Sequence, residues 1–408
     1  MLTRVEGLRA HESVARDEPV RAMRCGDGEV RAEGGDSERE RLRERSGRGP
    51  PGRRETTPLR SSVAASAATG TATRSPRDGA RDFSVRPYRP GDEAGILALF
   101  ARAFGSHGVR SRRLWEWEYR RCPEGRQIVL AVAADGEVLA HYATVPVRLH
   151  VAGSVVLAGH VVDSMGQPRR RGGLGGRGPF LAVARRYFET FGTAALAHCG
   201  FGFTTPPIHR FGARHLHYSA VVPELPALFC NLFAGAPPAL HVPATVALRE
   251  VERFDPAVDR LWARCAPEMP LTIVRDRRYL DWRYADIPVP YRRFEVWRGE
   301  RLDALFVLRA GWCGAPIVAL TELLARRDDL QALECALATA LHLAGELGMT
   351  RVETWLPERH PFFARARALG FRSERTNLTL TARLYRTPEA LDWHRENWFY
   401  TIGDSDIF

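Results

Sequence analysis

Residues 155–191 read VVLAGHVVDSMGQPRRRGGLGGRGPFLAVARRYFETF and combine three local patterns. The first part is rich in valine and predicts a β-strand. The last part has apolar residues at helical spacing, and Pro179 stands just before it, where the first turn of a helix accepts proline. Glycine and arginine dominate the residues in between. The stretch therefore predicts a strand, a glycine-rich loop and a helix in direct succession.

The loop of this unit contains RRGGLG at residues 170–175, which matches the pattern Arg/Gln-x-x-Gly-x-Gly/Ala. Glycines adopt positive φ and allow the backbone to come close to a bulky ligand. Successive N–H groups then form a concave nest for an anion, and the following helix adds the positive end of its dipole. A flexible surface loop has the same composition, but the flanking strand and helix favour a pyrophosphate-binding site.

The sequence on the N-terminal side continues the alternation of strands and helices. Residues 83–104, FSVRPYRPGDEAGILALFARAF, predict a strand, a Pro-Gly-Asp turn and an amphipathic helix. A tryptophan-rich helix, LWEWEYRR, and three strands lead up to the glycine loop. With the elements after the loop, the order is β-α-α-β-β-β-α-β-α-β. This order predicts an α/β (α+β) fold with a mixed, mostly antiparallel sheet and helices on both faces.

The same order of elements recurs after a Pro/Ala-rich linker at residues 235–243. The helices LWEWEYRR and YLDWRYAD occupy matching places in the two copies, which indicates an internal repeat. We therefore predict two tandem domains, at residues 83–234 and 244–386.

Two terminal segments flank the predicted domains. Residues 1–82 contain no Phe, Trp or Tyr and are rich in Arg, Ala, Gly and Ser, which predicts a disordered tail. Residues 387–408 are rich in large apolar side chains and are expected to dock on the domains. These side chains are Trp393, Trp398, Phe399, Tyr400, Ile402 and Phe408.

Composition restricts the class of protein. All 59 Lys and Arg residues are arginine, and the formal net charge is +11. The seven cysteines are scattered without C-x-x-C spacing, which argues against a disulfide framework and against a zinc ribbon, so we expect no metal. No apolar run reaches the length that spans a bilayer, and no nucleic-acid recognition motif is present. We expect a cytoplasmic monomer or homodimer that binds neither membrane nor nucleic acid.

The opening residues VRPYRPGDEAGILALFARAF and the loop RRRGGLG resemble the GCN5-related N-acetyltransferase (GNAT) superfamily, and its tandem two-copy members in particular. The resemblance covers roughly residues 83–385. It implies that the loop binds the pyrophosphate of acetyl-CoA and that the backbone from Val162 to Met165 lines the thioester. The sequence departs from the family pattern by the additional GGRG at residues 175–178. The implied loop residues are Arg170, Arg171, Gly172, Gly173, Leu174, Gly175 and Gly176.

Acyl transfer to an amine requires removal of the ammonium proton and stabilisation of the developing oxyanion. Candidates for proton removal are Asp163, His141 beside Tyr142, and His198, although buried His and Asp side chains also serve purely structural roles. A strand amide near Met165 is suited to the oxyanion.

The departing thiolate also needs a proton. The family often places a tyrosine in the helix after the fifth strand as general acid. That helix reads PPIHRFGARHLHY here, so His209, Tyr218 or solvent would have to protonate the thiolate.

The second copy has LLARRDDLQALE where the glycine loop would stand. Asp328 and Asp329 suit the start of a helix but would repel a pyrophosphate. We therefore predict that the second copy does not bind CoA and completes the acceptor groove.

Together these features predict an acyl-CoA-dependent N-acyltransferase that moves an acetyl group from acetyl-CoA to a small-molecule primary amine by direct attack. Two alternatives remain open. An aminoacyltransferase of the peptidoglycan-bridge type resembles the same doubled fold but lacks the CoA loop. A non-catalytic CoA-binding or scaffold protein would keep the loop without needing the polar groups at the strand ends.

Overall fold

The computed structural model of the chain describes residues 83–105, 110–167, 178–232, 237–385 and 390–406. The predicted disordered tail at residues 1–82 lies outside the described residues, and so does the predicted cofactor loop at residues 170–176.

Strands and helices alternate in the first half in the predicted order. The elements are β1 (Phe83–Pro87), α1 (Glu93–Phe104), α2 (Arg112–Trp115), β2 (Gln127–Ala133), β3 (Val138–Val151), β4 (Ser154–Gly166), α3 (Pro179–Thr190), β5 (Cys199–Thr204), α4 (Pro206–Leu216) and β6 (Ser219–Val222).

The second half repeats this order and adds short strands. Its elements are β7 (Pro226–Asn231), β8 (Ala247–Val251), α5 (Ala257–Cys265), β9 (Leu271–Ile273), α6 (Arg277–Leu280), β10 (Arg292–Arg298), β11 (Arg301–Ala310), β12 (Ile317–Ala325), α7 (Leu330–Glu346), β13 (Arg351–Trp355), α8 (Pro361–Ala368), β14 (Arg372–Arg375), β15 (Thr379–Leu384) and α9 (Leu391–Asn397).

The strands form two mixed sheets. The first has the order β1-β2-β3-β4-β5-β15-β6, with β9 paired to β3, and the second has the order β14-β7-β13-β12-β11-β10-β8. Only β4 with β5 and β12 with β13 pair in parallel among the described strands. The predicted fold class, with two mixed and mostly antiparallel sheets and their helices, is confirmed.

Each sheet takes one strand from the other half of the sequence. β7 lies in the second sheet between β13 and β14, whereas β15 lies in the first sheet between β5 and β6. The two sheets therefore do not follow the predicted ranges 83–234 and 244–386. Pairing with β15 joins β6 to the remainder of the first sheet.

The two tryptophan-rich helices have the same local build. Ser111 caps α2 by accepting a hydrogen bond from the Leu114 N–H, and Asp276 caps α6 by accepting one from the Tyr279 N–H. A single π-helical turn then follows each short helix, at Glu116–Arg120 and at Asp281–Ala285. The predicted repeat thus extends to the caps and to the change of helix type.

One hydrophobic core includes side chains from both sheets, and a smaller one lies under α3. The C-terminal segment packs against the larger core through buried Trp398, Phe399, Tyr400 and Ile402. A parallel bridge between Leu271 and Trp398 joins this segment to β9. Residues 401–405 then pass along the second half of the molecule.

Candidate active site

β4 and β5 separate in the middle of the first sheet. Their parallel pairing is confined to Gly159 with Gly200 and His160 with Phe201. Beyond His160, β4 continues to Gly166 without β5 as a neighbour. The end of β4 therefore forms one wall of a gap between two strands, and its unpaired backbone groups are available to a ligand.

A β-bulge interrupts β4 at this gap. The register between β3 and β4 shifts between His141 and Ala143. Asp163 has a φ of +49°, in the left-handed region that a non-glycine residue enters at a cost of about 1–3 kcal/mol. Strain of this kind is concentrated at functional sites and redirects side chains. The bulge identifies Asp163 as the centre of the candidate site.

The Asp163 carboxylate is held by two side chains from the α2 region. The Tyr119 hydroxyl donates a hydrogen bond of 2.9 Å to Oδ2, and Arg110 Nη1 donates one of 2.6 Å to Oδ1. Arg110 also forms an ion pair with Glu118. The side chains of Arg110, Glu118 and Asp163 are 7%, 3% and 6% exposed. This polar cluster is therefore shielded from water, which strengthens its electrostatic interactions.

His141 joins the cluster through the backbone of the bulge. Its Nδ1 lies 2.8 Å from the Asp163 carbonyl oxygen, so Nδ1 carries the proton that this contact requires. Burial lowers the pKa of His141, and the ring is neutral. Its Nε2 has no hydrogen-bond partner among the described residues. The structure thus brings the predicted residues Asp163 and His141 together and leaves an acceptor nitrogen on His141.

The predicted residues His198 and His209 lie apart from this cluster. His198 Nε2 is 2.9 Å from His394 Nε2 of α9, and the two rings stack. His209 lies in α4, where its N–H donates to the Thr205 carbonyl. No described contact joins either histidine to Asp163.

Tyr142 and Tyr218 lie on the other face of the sheet, in the core under α3. Their hydroxyls are in hydrogen-bond contact. Burial raises the pKa of Tyr218 to about 12, so the hydroxyl of this predicted proton donor is protonated at neutral pH. Tyr187 adds a third hydroxyl to this core, bonded to Thr144.

The predicted thioester wall is buried. Val162 and Met165 are 2% and 4% exposed and pair with Ala143 and His141 of β3. The helix α3 begins after Gly178 with Pro179 in its first turn. Because no helical bond uses the first N–H groups of a helix, the start of α3 is suited to receive a phosphate.

The second half contains an equivalent cluster that the sequence did not reveal. The Tyr284 hydroxyl donates to Glu322 Oε2 at 3.1 Å, and Arg275 Nε donates to Glu322 Oε1 at 3.0 Å. Arg275 also binds both carboxylate oxygens of Asp404, at 2.8 and 2.7 Å. Asp404 of the C-terminal segment thus pairs with Arg275 in the second half, as Glu118 pairs with Arg110 in the first.

In the sequence, these two clusters are indicated by an arginine that stands just before the cap of each tryptophan-rich helix. Arg110 precedes the cap Ser111, and Arg275 precedes the cap Asp276. An arginine beside a helix cap is common on protein surfaces, so the sequence alone did not mark either residue as functional.

The start of α7 agrees with the predicted role of its carboxylates. Asp329 caps the helix by accepting from the Ala332 N–H and forms two hydrogen bonds with Arg298. The Asp328 side chain is 75% exposed.

Two further findings concern metals and membranes. The described residues contain no group of three or more His, Cys, Asp or Glu side chains suited to a metal ion. Among the helices in the described ranges, none is long and apolar enough to cross a bilayer.

Comparison with known proteins agrees with this architecture. Residues 84–215 match the family model described as an acetyltransferase (GNAT) domain. No curated protein sequence matches the chain.

Solved structures show the same fold at low sequence identity. A GCN5-related N-acetyltransferase from Anabaena variabilis ATCC 29413 has a TM-score of 0.55 at 10% identity, over 74% of this chain and 73% of that one. One from Kribbella flavida has a TM-score of 0.52 at 15% identity, over 76% and 73%. A tandem GNAT protein from the clavulanic acid biosynthesis pathway has a TM-score of 0.50 at 15% identity, over 74% and 97%. The first half of the chain therefore contains a segment, residues 84–215, that matches a GNAT domain, and the chain shares its fold with these solved structures.

Proposed function

We propose that the protein is an acyl-CoA-dependent N-acyltransferase that transfers an acetyl group from acetyl-CoA to a primary amine. The observation that carries this proposal is the gap between β4 and β5, which opens beside a buried cluster containing Asp163 and a neutral His141. In this proposal the thioester lies in the gap, and the acceptor approaches from the face that carries His141.

The cofactor is bound by the elements around the end of β4. Residues 170–176 and the start of α3 hold the pyrophosphate, and the backbone from Val162 to Met165 lines the thioester. A strand amide near Met165 donates to the oxyanion that forms when the amine attacks.

The reaction itself forms one bond and breaks one. The neutral amine attacks the thioester carbonyl carbon, the C–N bond forms, and the C–S bond breaks with departure of the CoA thiolate. We assign removal of the ammonium proton to His141, because its Nε2 is an acceptor without a partner among the described residues. Asp163 is less suited as the base, since both of its carboxylate oxygens already accept hydrogen bonds.

The second half supports the reaction without binding CoA. In its equivalent cluster, Asp404 forms an ion pair with Arg275. At the start of α7, Asp329 forms an ion pair with Arg298. The alternatives, an aminoacyltransferase and a non-catalytic CoA-binding protein, share this fold and are distinguished by the assay below.

The proposal is tested by calorimetry with acetyl-CoA and by release of free thiol in the presence of small amines. Gly173→Val should abolish acetyl-CoA binding, because a β-branched side chain blocks close approach of the backbone and disfavours positive φ. Asp328→Asn is the matched control in the second half, where an exposed carboxylate is replaced, and it should bind like the unaltered protein.

Absence of acetyl-CoA binding by the unaltered protein would favour the aminoacyltransferase, which lacks the CoA loop. Unchanged binding by Gly173→Val would remove the main support for a CoA site. Binding without thiol release for any amine would favour the non-catalytic alternative. Thiol release that persists in His141→Gln at the original rate would reassign the proton acceptor.

A further inference from the structure

A small cavity lies between the two halves, beside the cluster around Asp163. Its volume is about 20 Å³, and the stacked indoles of Trp117 and Trp282 form part of its wall. Its polar lining residues are Glu118, His160, Tyr279, Arg283, Ser405 and Asp406. A volume of this size holds one group as large as a water molecule.

The charges around this cavity do not balance. Three carboxylates, those of Glu118, Asp163 and Asp406, are accompanied by the two guanidinium groups of Arg110 and Arg283. Asp406 forms no ion pair with any arginine in the described part of the chain. One negative charge therefore lacks a counter-ion, and because Asp406 is only partly exposed, such a charge is costly unless it takes up a proton or a cation.

The two guanidinium groups are already engaged. Arg110 is shared between Glu118 and Asp163. Arg283 donates from Nε to the Gly403 carbonyl at 3.0 Å and from Nη2 to the Ser405 carbonyl at 3.2 Å. Both cations thus have partners that fix them in place.

His160 provides independent evidence for a ligand at this cavity. It is 8% exposed, it lines the cavity, and its Nε2 has no hydrogen-bond partner among the described residues. Burial lowers its pKa to about 3, so the imidazole is neutral and offers one acceptor nitrogen. Buried polar atoms without partners are uncommon and indicate a missing partner.

We propose that this cavity receives the amino group of the acceptor, which is a cationic, unbranched primary amine. Three N–H donors of an ammonium group match the acceptors on Glu118, His160 and Asp406, and its positive charge supplies the missing counter-ion. The small volume accepts a primary amine and excludes a nitrogen that carries several alkyl groups.

The location of the cavity agrees with transfer from the gap in the first sheet. His160 forms the last pair between β4 and β5, so the cavity begins where these strands separate. Glu118 lines the cavity and also pairs with Arg110 in the polar cluster at the bulge, so the cavity and the cluster are adjacent. This inference rests on the proposed function, in which the thioester occupies the gap.

Binding of methylammonium to the full chain tests the inference separately from CoA binding. A ligand-observed NMR titration at neutral pH would compare methylammonium with methanol, which lacks the charge, and with tetramethylammonium, which exceeds the cavity. We expect binding of methylammonium only. Asp406→Asn should weaken it by about tenfold or more, since a hydrogen bond to a charged group is lost. His160→Phe should also weaken it, because the acceptor nitrogen is removed and the ring fills the cavity.

The control variant is Asp392→Asn, which removes an exposed carboxylate of α9 and should leave methylammonium binding unchanged. Acetyl-CoA affinity, measured by calorimetry, should be unchanged in all three variants. Absence of methylammonium binding by the unaltered protein, or equal binding by Asp406→Asn, would overturn the inference and leave the proposed function standing. Absence of acetyl-CoA binding by the unaltered protein would instead reject the proposed function.

Discussion

Trp117 and Trp282 stack face to face across the junction of the two halves, with ring centroids 4.9 Å apart and planes inclined by 12°. Each indole N–H donates to the backbone carbonyl of the other residue, at 2.7 and 3.2 Å. The two residues hold matching places in the two copies, so the contact is reciprocal. This reciprocal contact joins the two halves of the molecule at the wall of the cavity.

Replacement of Trp282 tests the energy of this junction. Trp282→Ala should lower the free energy of unfolding by about 3–5 kcal/mol, because a large buried ring is removed. Trp282→Phe keeps an aromatic ring but leaves the Trp117 carbonyl without its donor, at a cost of about 1–3 kcal/mol. Denaturant unfolding measures both values.

Trp312→Phe is the matched control for the lost hydrogen bond. Trp312 is 7% exposed, and its Nε1 has no partner among the described residues. We expect a smaller loss than for Trp282→Phe. Equal losses in the two Phe variants would show that the N–H to carbonyl bonds do not stabilise the junction.

Gly403→Ala should displace the C-terminal segment. A Cβ atom at this position would overlap the Tyr284 hydroxyl and lie 2.8 Å from the Thr321 carbonyl oxygen. Forcing an additional methyl group into a packed site costs about 1–3 kcal/mol. Because the same segment carries Asp404 and Asp406, we expect lower stability together with weaker methylammonium binding.

Two comparisons isolate the cause. Tyr284→Phe removes the overlapping hydroxyl, so Gly403→Ala combined with Tyr284→Phe should lose less additional stability than Gly403→Ala does alone. Gly345→Ala, in α7, has open space at its Cβ and should be neutral or slightly stabilising. A thermal transition unchanged by Gly403→Ala would contradict close packing at this glycine.

The strand exchange predicts that the halves do not fold separately. Residues 83–234 alone lack β15, so β6 loses its partner and β5 becomes an exposed edge that invites aggregation. Residues 237–408 alone lack β7, which separates β14 from β13. When the two fragments are coexpressed, we expect a soluble complex, measured by size-exclusion chromatography. A cooperative thermal transition of either fragment alone would refute this prediction.

The sequence predicted the elements well but did not predict this exchange. Periodicity and turn residues predict β15 as a strand because these signals are local, but the predicted order contains a single strand where β6 and β7 lie. The choice of sheet depends on partners far away in the chain, and both strands are apolar enough for either sheet. The sequence therefore places β15 in the predicted second domain, residues 244–386, to which it is adjacent in the chain.

The candidate site was predictable where its residues share one local pattern. Asp163 stands out as a polar residue in an apolar strand that enters the glycine loop, and His141 lies on the neighbouring strand. The register shift that brings His141 to the Asp163 carbonyl leaves no trace in the sequence. Arg110 and Asp406 come from distant segments, so only the fold brings them to Asp163.

The remaining prediction concerns pH and Asp406. Burial, followed by the charge of Asp163, raises the pKa of Asp406 to about 6. The carboxylate is therefore charged above this pH and neutral below it, whereas an alkylammonium ion with a pKa of about 10 stays charged throughout. Methylammonium binding should fall as the pH is lowered through about 6. The charged and titratable groups around Asp406 are Arg110, Glu118, Tyr119, His160, Asp163, Tyr279 and Arg283.

The contribution of Asp406 to the free energy of unfolding should increase as the pH is lowered through about 6, whereas methylammonium binding should fall. An aspartate whose folded pKa lies above its unfolded pKa contributes stability that is full below the unfolded value, near 4, and is lost as the pH rises through the folded value, about 6. Asp406→Asn should remove the loss of methylammonium binding near pH 6 and the contribution of Asp406 to the pH dependence of stability, since the amide does not titrate, and Asp392→Asn should retain both. His160, with a folded pKa of about 3, stays neutral in the folded protein in this window, and its contribution to stability has the opposite sign, because it is lost as the pH falls below the unfolded value near 6.5. If Asp406→Asn kept the loss of methylammonium binding near pH 6, another group would be responsible, and Asp406 would not be the counter-ion of the acceptor amine.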